Sequence, residues 1–429
     1  MEAVADTKDT TTGPAALAPI SWKYEFVKTT HRALTRRNFF WLGQTCNIRC
    51  TFCYFLDRIN SKEHPEHAFM SFEKARDMCA TMRFHYGCES IDIQGGEPTI
   101  FKPINDLVRY CASIGLRPTL ITNGMVLAHK HRVEELRDSG LYDVILSVNG
   151  LREVYDAIAG VPGGHKKQTS ALQNLAEAGV PIRFNCVLSK TALPQLMEIA
   201  ELAVAHRVRV VNFIAFNPFE DQAKQGKRTA ENVPSYSEVA GYLNGAIAHL
   251  EAHDIEANVR YMPICFVRPE LRKNMFNFQQ LSYDLHEGHY ASWCWSFGIN
   301  QRISTQPLDE PYDLRTQTFS PGIGHVPATH VLAPGWEEKP FENTPELVRA
   351  HGRLRASEHV RYAYSAKCAR CAAKAICDGF HSDYSDIFGT DEARPITDHA
   401  PTSDPTYYVR HQRKVVECQD YDWALESKD

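Results

Sequence analysis

Three cysteines within eight residues, Cys46-Asn47-Ile48-Arg49-Cys50-Thr51-Phe52-Cys53, restrict this chain more than any other stretch. They follow directly on the apolar run Asn38-Phe39-Phe40-Trp41-Leu42-Gly43. Thiols packed this closely do not suit a simple disulfide framework, whereas soft thiolates suit iron–sulfur clusters or zinc. A structural zinc site closes with four ligands. A cubane of four irons held by three cysteines instead keeps one iron without a protein ligand, open to a substrate or cofactor. The competing reading is a set of buried, inert cysteines.

The rest of the composition fits a reducing, cytoplasmic setting for such a centre. The thirteen cysteines are an odd number, and in a reducing compartment they serve as metal ligands. Met1 to Pro19 is small and polar, without the basic region and apolar core of a secretory leader. No apolar run is long enough to span a bilayer. A net charge of −5 gives no sign of nucleic-acid or membrane partners. A chain of 429 residues suggests two domains.

Downstream of the cysteines, β-type runs alternate with helical patterns. Strands are expected at Ser90–Gln94, Arg117–Thr122, Tyr142–Ser147, Ile182–Leu188 and Arg207–Ile214, with one more before Cys46. Helices are expected over about Ile104–Ile114, Ala128–Ser139, Lys167–Ala178 and Leu193–His206. Strand–helix alternation with short connections argues for parallel β/α units. In such folds active-site groups gather at the carboxyl ends of the strands. Cys46, Gly95-Gly96-Glu97-Pro98, Thr122-Asn123-Gly124, Ser147-Val148-Asn149-Gly150 and Ala215-Phe216-Asn217 all fall at such ends, and Asn185 lies in strand five.

The order Cys-x3-Cys-x-aromatic-Cys, followed by Gly-Gly-Glu-Pro after the next strand, resembles the radical S-adenosylmethionine (SAM) superfamily. The resemblance implies a partial (β/α)6 TIM-like barrel over residues 36–217, after a disordered tail and lead-in over 1–35. It implies a [4Fe–4S] cluster on Cys46, Cys50 and Cys53, whose open iron chelates the amino and carboxylate groups of SAM. Phe52 and the Tyr54 backbone would meet the adenine. Gly95 and Gly96 let the backbone approach a ligand, and Glu97 would take the SAM ammonium by charge-assisted hydrogen bonds. Ser147 and Asn185 match positions that contact the methionine carboxylate or ribose, with Thr122 and Asn123 on the same rim. For these polar residues a plain strand-end cap is the alternative.

After a bridging helix and strand in 218–264, residues 265–429 hold a second cysteine group. Cys368-x2-Cys371-x5-Cys377 resembles the core of SPASM and Twitch domains, which carry auxiliary iron–sulfur clusters. His381 stands where the full pattern has its next cysteine. Cys418 is the candidate fourth ligand, and Cys265 and Cys294 are further candidates. A Twitch-like single cluster drawing on Cys265 or Cys294 is the rival arrangement, and zinc on Cys368, Cys371, Cys377 with His381 or Cys418 is the alternative. A loop insertion is expected at about 296–365, where Gln306-Pro307, Ser320-Pro321-Gly322 and Ala333-Pro334-Gly335 signal turns. Cys79, Cys88, Cys111 and Cys186 have no ligand spacing and read as core.

The resemblance implies an enzyme that cleaves SAM to a 5′-deoxyadenosyl radical and abstracts a hydrogen atom from a small-molecule or peptide substrate. A one-electron donor such as flavodoxin or ferredoxin would feed it. Oxidation, crosslinking and epimerisation stay open, the last with Cys265 as hydrogen-atom donor. A non-catalytic iron–sulfur electron carrier or a zinc-stabilised binding protein is the reading from another class.

Overall fold

A computed structural model describes residues 37–53, 56, 67–84, 90–215, 228–277, 280, 362–404 and 407–412. Eight strands form one sheet in sequence order, and every neighbouring pair is parallel. They are β1 Arg37–Trp41, β2 Ser90–Gln94, β3 Arg117–Thr122, β4 Asp143–Ser147, β5 Ile182–Leu188, β6 Val210–Ala215, β7 Glu256–Arg260 and β8 Met275–Phe276. β1 and β8 remain the two edges, so the barrel is open. The helices lie between the strands as right-handed crossovers require: α1 Phe72–Phe84, α2 Ile104–Ser113, α3 Lys130–Asp138, α4 Arg152–Ala159, α5 Gly164–Glu177, α6 Leu196–Ala205 and α7 Tyr236–Ala252, with α8 Ser382–Phe388 later.

The expected (β/α)6 unit is present, and the sheet runs on past it. The segment read as a bridge is a seventh β/α unit: α7 and β7 continue the parallel ladder, and β8 adds a short eighth strand. β7 stops at Arg260 because Tyr261 takes a left-handed backbone, with φ 63°. Three helices escaped the sequence reading, α1, the eight-residue α4 and α8. The expected insertion lies, up to residue 361, outside the described residues. Among the described residues, no helix is long and apolar enough to cross a membrane.

Alternation along β5 separates the two faces of the sheet. Ile182, Phe184, Cys186 and Leu188 point into the main core with the helices, whereas Arg183, Asn185 and Val187 face the concave side. A strand covered on both faces by apolar layers reads as a continuous hydrophobic run; the polar alternation here marks the concave face as a different environment. Its floor is ionic. Arg183 pairs with Asp143 at 2.8 Å and lies 3.7 Å from Asp92, while Thr119 hydrogen-bonds Asp143 at 2.5 Å.

The C-terminal region is attached to the far edge of this sheet through aromatic packing. Tyr236 at the start of α7 stacks on Tyr384 with ring centres 3.8 Å apart, and both approach Phe380. Phe266 joins from the other side. The Tyr384 hydroxyl accepts the Tyr236 backbone N–H and donates to Glu392. Such ring pairs contribute about 0.5–1.5 kcal/mol each beyond their area.

Candidate active site

The cysteine loop leaves β1 and is held from four sides. Leu42 donates to the Gln94 carbonyl, and Gln44 and Thr45 donate to Ala68. The Thr45 carbonyl accepts the Glu97 N–H at 2.9 Å. Gly96, at φ 53°, lies so close behind it that an added Cβ would stand 1.9 Å from the Thr45 oxygen. Only glycine allows that approach.

Helix α4 supplies the second hold. Its last carbonyls, Ile158 and Ala159, accept the N–H groups of Thr51 and Arg49 at 3.0 Å each. The final turn of a helix leaves its carbonyls without partners inside the helix, and here the cysteine loop uses them. Gly160, left-handed at φ 67°, ends the helix as a C-terminal glycine does. That glycine after an amphipathic octet was the sequence signal for a helix with this role.

The third hold comes from β3. Asn123 donates to the Asn47 side chain at 2.8 Å and lies 3.7 Å from the Cys46 sulfur. Its own backbone N–H is accepted by Glu97 at 2.8 Å. The fourth is Arg228, buried, whose guanidinium donates to the Phe52 carbonyl at 2.5 Å. Burial lowers its pKa to about 10, against the raising influence of Cys53 and Asp383.

Glu97 is oriented differently from the sequence expectation. It is 0% exposed. One carboxylate oxygen accepts from the Thr99 N–H (3.0 Å), the Thr99 hydroxyl (2.5 Å) and the Thr122 hydroxyl (2.6 Å); the other takes Asn123. Burial pushes this carboxyl above its ordinary pKa while the donors pull it back. It caps the short helical turn Pro98–Ile100 and joins the ends of β2 and β3. Thr122 belongs to the same internal network.

The thiols are half-buried. Ile48, Met125, Tyr155 and Ala159 form a small apolar cluster against Cys46 and Cys50. Burial first, then the Glu97 charge, raises the Cys46 thiol to about 12, and burial raises Cys50 as well. Cys50 feels the charge of Cys53 and Cys46, and Cys46 that of Cys53. Thiols so placed ionise when a metal supplies the compensating charge. Ser147 and Asn185 are register partners on β4 and β5, half-buried on the concave face. Tyr54 lies outside the described residues, and Phe52 packs against the core.

At the other end of the sheet, Cys265, Cys368, Cys371 and Cys377 line a single cavity with Lys374 and Arg394. The Gly379 N–H points at the Cys377 sulfur and the Ile396 N–H at the Cys371 sulfur, both at 3.4 Å. Backbone donors aimed at sulfur, with cations beside them, are what a cluster of thiolates needs. Burial raises Cys265 to about 11. His381 is not part of this wall. Its ring nitrogen accepts the Asp383 N–H and caps α8, with Tyr362 against its edge. Cys294 and Cys418 fall outside the described residues, as does Cys88; Cys79, Cys111 and Cys186 are buried core residues. Among the described residues, no three His, Cys, Asp or Glu side chains close on a single-ion point. The four thiols border one space.

Residues 42–214 match the family model described as the radical SAM superfamily. That stretch, under half of the chain, is similar to the radical SAM superfamily. The family uses a [4Fe–4S] cluster and SAM, and the observed donor set fits both: three half-buried thiols in one loop, beside a glycine backbone at a strand end. Among similar proteins, the PqqA peptide cyclase of Bradyrhizobium diazoefficiens is 32% identical over 130 residues, 29% of this chain and 34% of that one. The AdoMet-dependent heme synthase of Methanosarcina barkeri is 28% identical over 337 residues, 78% of this chain and 87% of that one. The first curated relatives are matched over 34% to 48% of their own length. A solved structure, Streptococcus suis SuiB bound to precursor peptide SuiA, is 15% identical, with a TM-score of 0.48 over 86% of this chain and 76% of that chain.

Proposed function

We propose that this protein is a radical SAM enzyme acting on a peptide or small-molecule substrate in a biosynthetic or maturation pathway. Cys46, Cys50 and Cys53 hold the cluster, the Gly95–Gly96 backbone receives the SAM ammonium, and Ser147 and Asn185 orient its carboxylate or ribose. When bound, the cluster and SAM supply reductive cleavage of a carbon–sulfur bond, giving methionine and a 5′-deoxyadenosyl radical. The chain's part is to keep this loop rigid and dry and to present a substrate C–H on the concave face.

The observation that carries this reading is the four-sided clamp on the cysteine loop. Residues from the ends of β2 and β3, from α4 and Arg228 all converge on residues 42–53, a cost in ordering that a set of inert cysteines would not require. The anaerobic protein, incubated with SAM and dithionite, should release 5′-deoxyadenosine, and Cys50→Ala should not. Equal release by the variant ends the proposal. No release by the native protein would return the electron-carrier reading.

Cys265 is better placed as a ligand than as a hydrogen-atom donor. It borders the same cavity as Cys368, Cys371 and Cys377, which supports an auxiliary [4Fe–4S] cluster of Twitch type without Cys418. Such a cluster accepts the substrate electron, so net oxidation or crosslinking is favoured over epimerisation. A product lighter by two hydrogens supports this; unchanged mass with deuterium from solvent refutes it. The relatives' names, a peptide cyclase and a heme synthase, support both substrate classes. Flavodoxin or ferredoxin in a reducing cytoplasm remains the proposed source of electrons.

A further inference from the structure

Arg260 is the last residue of β7, at the same carboxyl edge of the sheet as the cysteine loop. Ala257 and Val259 point into the main core, so Glu256, Asn258 and Arg260 face the concave side. Asn258 confirms the direction by reaching Asn212 on β6 at 3.3 Å. In register, Ser147, Asn185, Asn212 and Asn258 form a polar row across β4 to β7. Arg260 stands one level above that row, flanked by Ile214 and Phe276. The end of the strand is fixed by Tyr236, whose hydroxyl donates to the Tyr261 carbonyl at 3.1 Å.

The guanidinium there is half-buried, its Nε is fully shielded from solvent, and it has no hydrogen-bond or ion-pair partner among the described residues. Arg183, on the floor of the same face, is by contrast ion-paired to Asp143. A guanidinium nitrogen held away from water without an acceptor is an unsatisfied buried donor, which a bound anion would satisfy. An arginine fork matches carboxylate or phosphate geometry in two parallel bonds.

We infer that Arg260 binds an anionic group of the substrate, a carboxylate or phosphate, and so turns the reacting carbon toward the cysteine loop. This rests on the radical SAM reading above. β7 stands two strands from Asn185 and three from Ser147, about 10–14 Å along the sheet at about 4.8 Å per strand. The anion thus belongs to a second molecule and not to the methionine carboxylate of SAM.

The test uses the anaerobic, cluster-loaded protein with SAM, its melting midpoint being measured in chloride, inorganic phosphate or succinate at matched ionic strength. A ligand that binds only the folded state raises the midpoint. Phosphate or succinate should raise it by several degrees in the native protein, and the more effective anion identifies the group the substrate carries. Arg260→Gln should abolish the rise, Arg260→Lys should keep part of it, and Arg268→Gln on the exposed surface should keep all of it. No rise with either anion, or an equal rise in Arg260→Gln, overturns the proposal. Loss of SAM affinity by calorimetry in Arg260→Gln also overturns it, by making Arg260 a SAM residue. Release of 5′-deoxyadenosine by the native protein is scored separately and tests the reaction class alone.

Discussion

Replacing Glu97 by Gln should loosen the cysteine loop without touching a cysteine. The amide oxygen can keep the three donors of Thr99 and Thr122, which lie at 2.5–3.0 Å. The amide nitrogen then faces the Asn123 N–H, so two donors meet where an acceptor stood. One buried unsatisfied donor costs about 1–3 kcal/mol, and three bonds falling from charged to neutral lose roughly 1 kcal/mol each. Burying a neutral group recovers part of this, because burial already disfavours the charged carboxyl. The expected net loss is about 2–4 kcal/mol, against a typical total of about 5–15 kcal/mol. The fold survives while the rim opens. Hydrogen exchange should accelerate at residues 45–53 and 122–125, and bound iron and 5′-deoxyadenosine release should fall together. Unfolding within about 0.5 kcal/mol of the native protein, with exchange unchanged and only SAM affinity reduced, would refute the argument. Glu97 would then be a ligand contact and not a brace.

Arg183→Met should cost about 3–5 kcal/mol in denaturant unfolding, because Asp143 is left buried without its ion-pair partner, and adding Asp143→Leu should recover most of that; a double variant no better than the single one contradicts it. Cys265→Ala should cut iron from about eight to about four per chain if each site holds a four-iron cluster, whereas unchanged iron would return Cys418 or Cys294 as the ligand. Arg228→Met should speed hydrogen exchange around Phe52 and reduce cluster occupancy, with the auxiliary cysteines unaffected. At the start of α7, Ser235 and Glu238 cap each other, and the Ser235 backbone holds the Glu238 carboxyl below its ordinary range. Its stabilisation is therefore complete at neutral pH and lost as pH falls through the lowered value. Glu238→Gln should flatten that acid-side slope in the denaturation midpoint, and an unchanged slope would refute the assignment.

The parallel strands were legible because each is a short apolar or alternating run bounded by turn residues; Ser90–Gln94, Arg117–Thr122 and Ile182–Leu188 match residue for residue. The cysteine triplet and the glycines were legible because their chemistry is local. Orientation was not. A carboxylate at a strand end reads the same whether it faces a ligand or its own chain, and the cap on Pro98–Ile100 turned Glu97 inward. Arg183, Arg228 and Arg260 went unnoticed for a related reason: an isolated arginine takes its meaning from what lies across space. α4 is short and follows Asn149-Gly150, so its pattern merged with the loop. β8, two residues long, carries no periodicity to read.

Cys265 stands five positions after the last residue of β7, whereas Cys46 stands five positions after the last residue of β1. Both groups of thiols therefore hang from the same ladder, six strands apart, with Tyr236, Phe266, Phe380 and Tyr384 packed behind the second. If both groups hold clusters as proposed, the gap between them is set by the curvature of one sheet and not by a hinge. Lengthening a connecting loop should leave that gap unchanged, while a substitution that flattens the sheet should slow electron transfer across it.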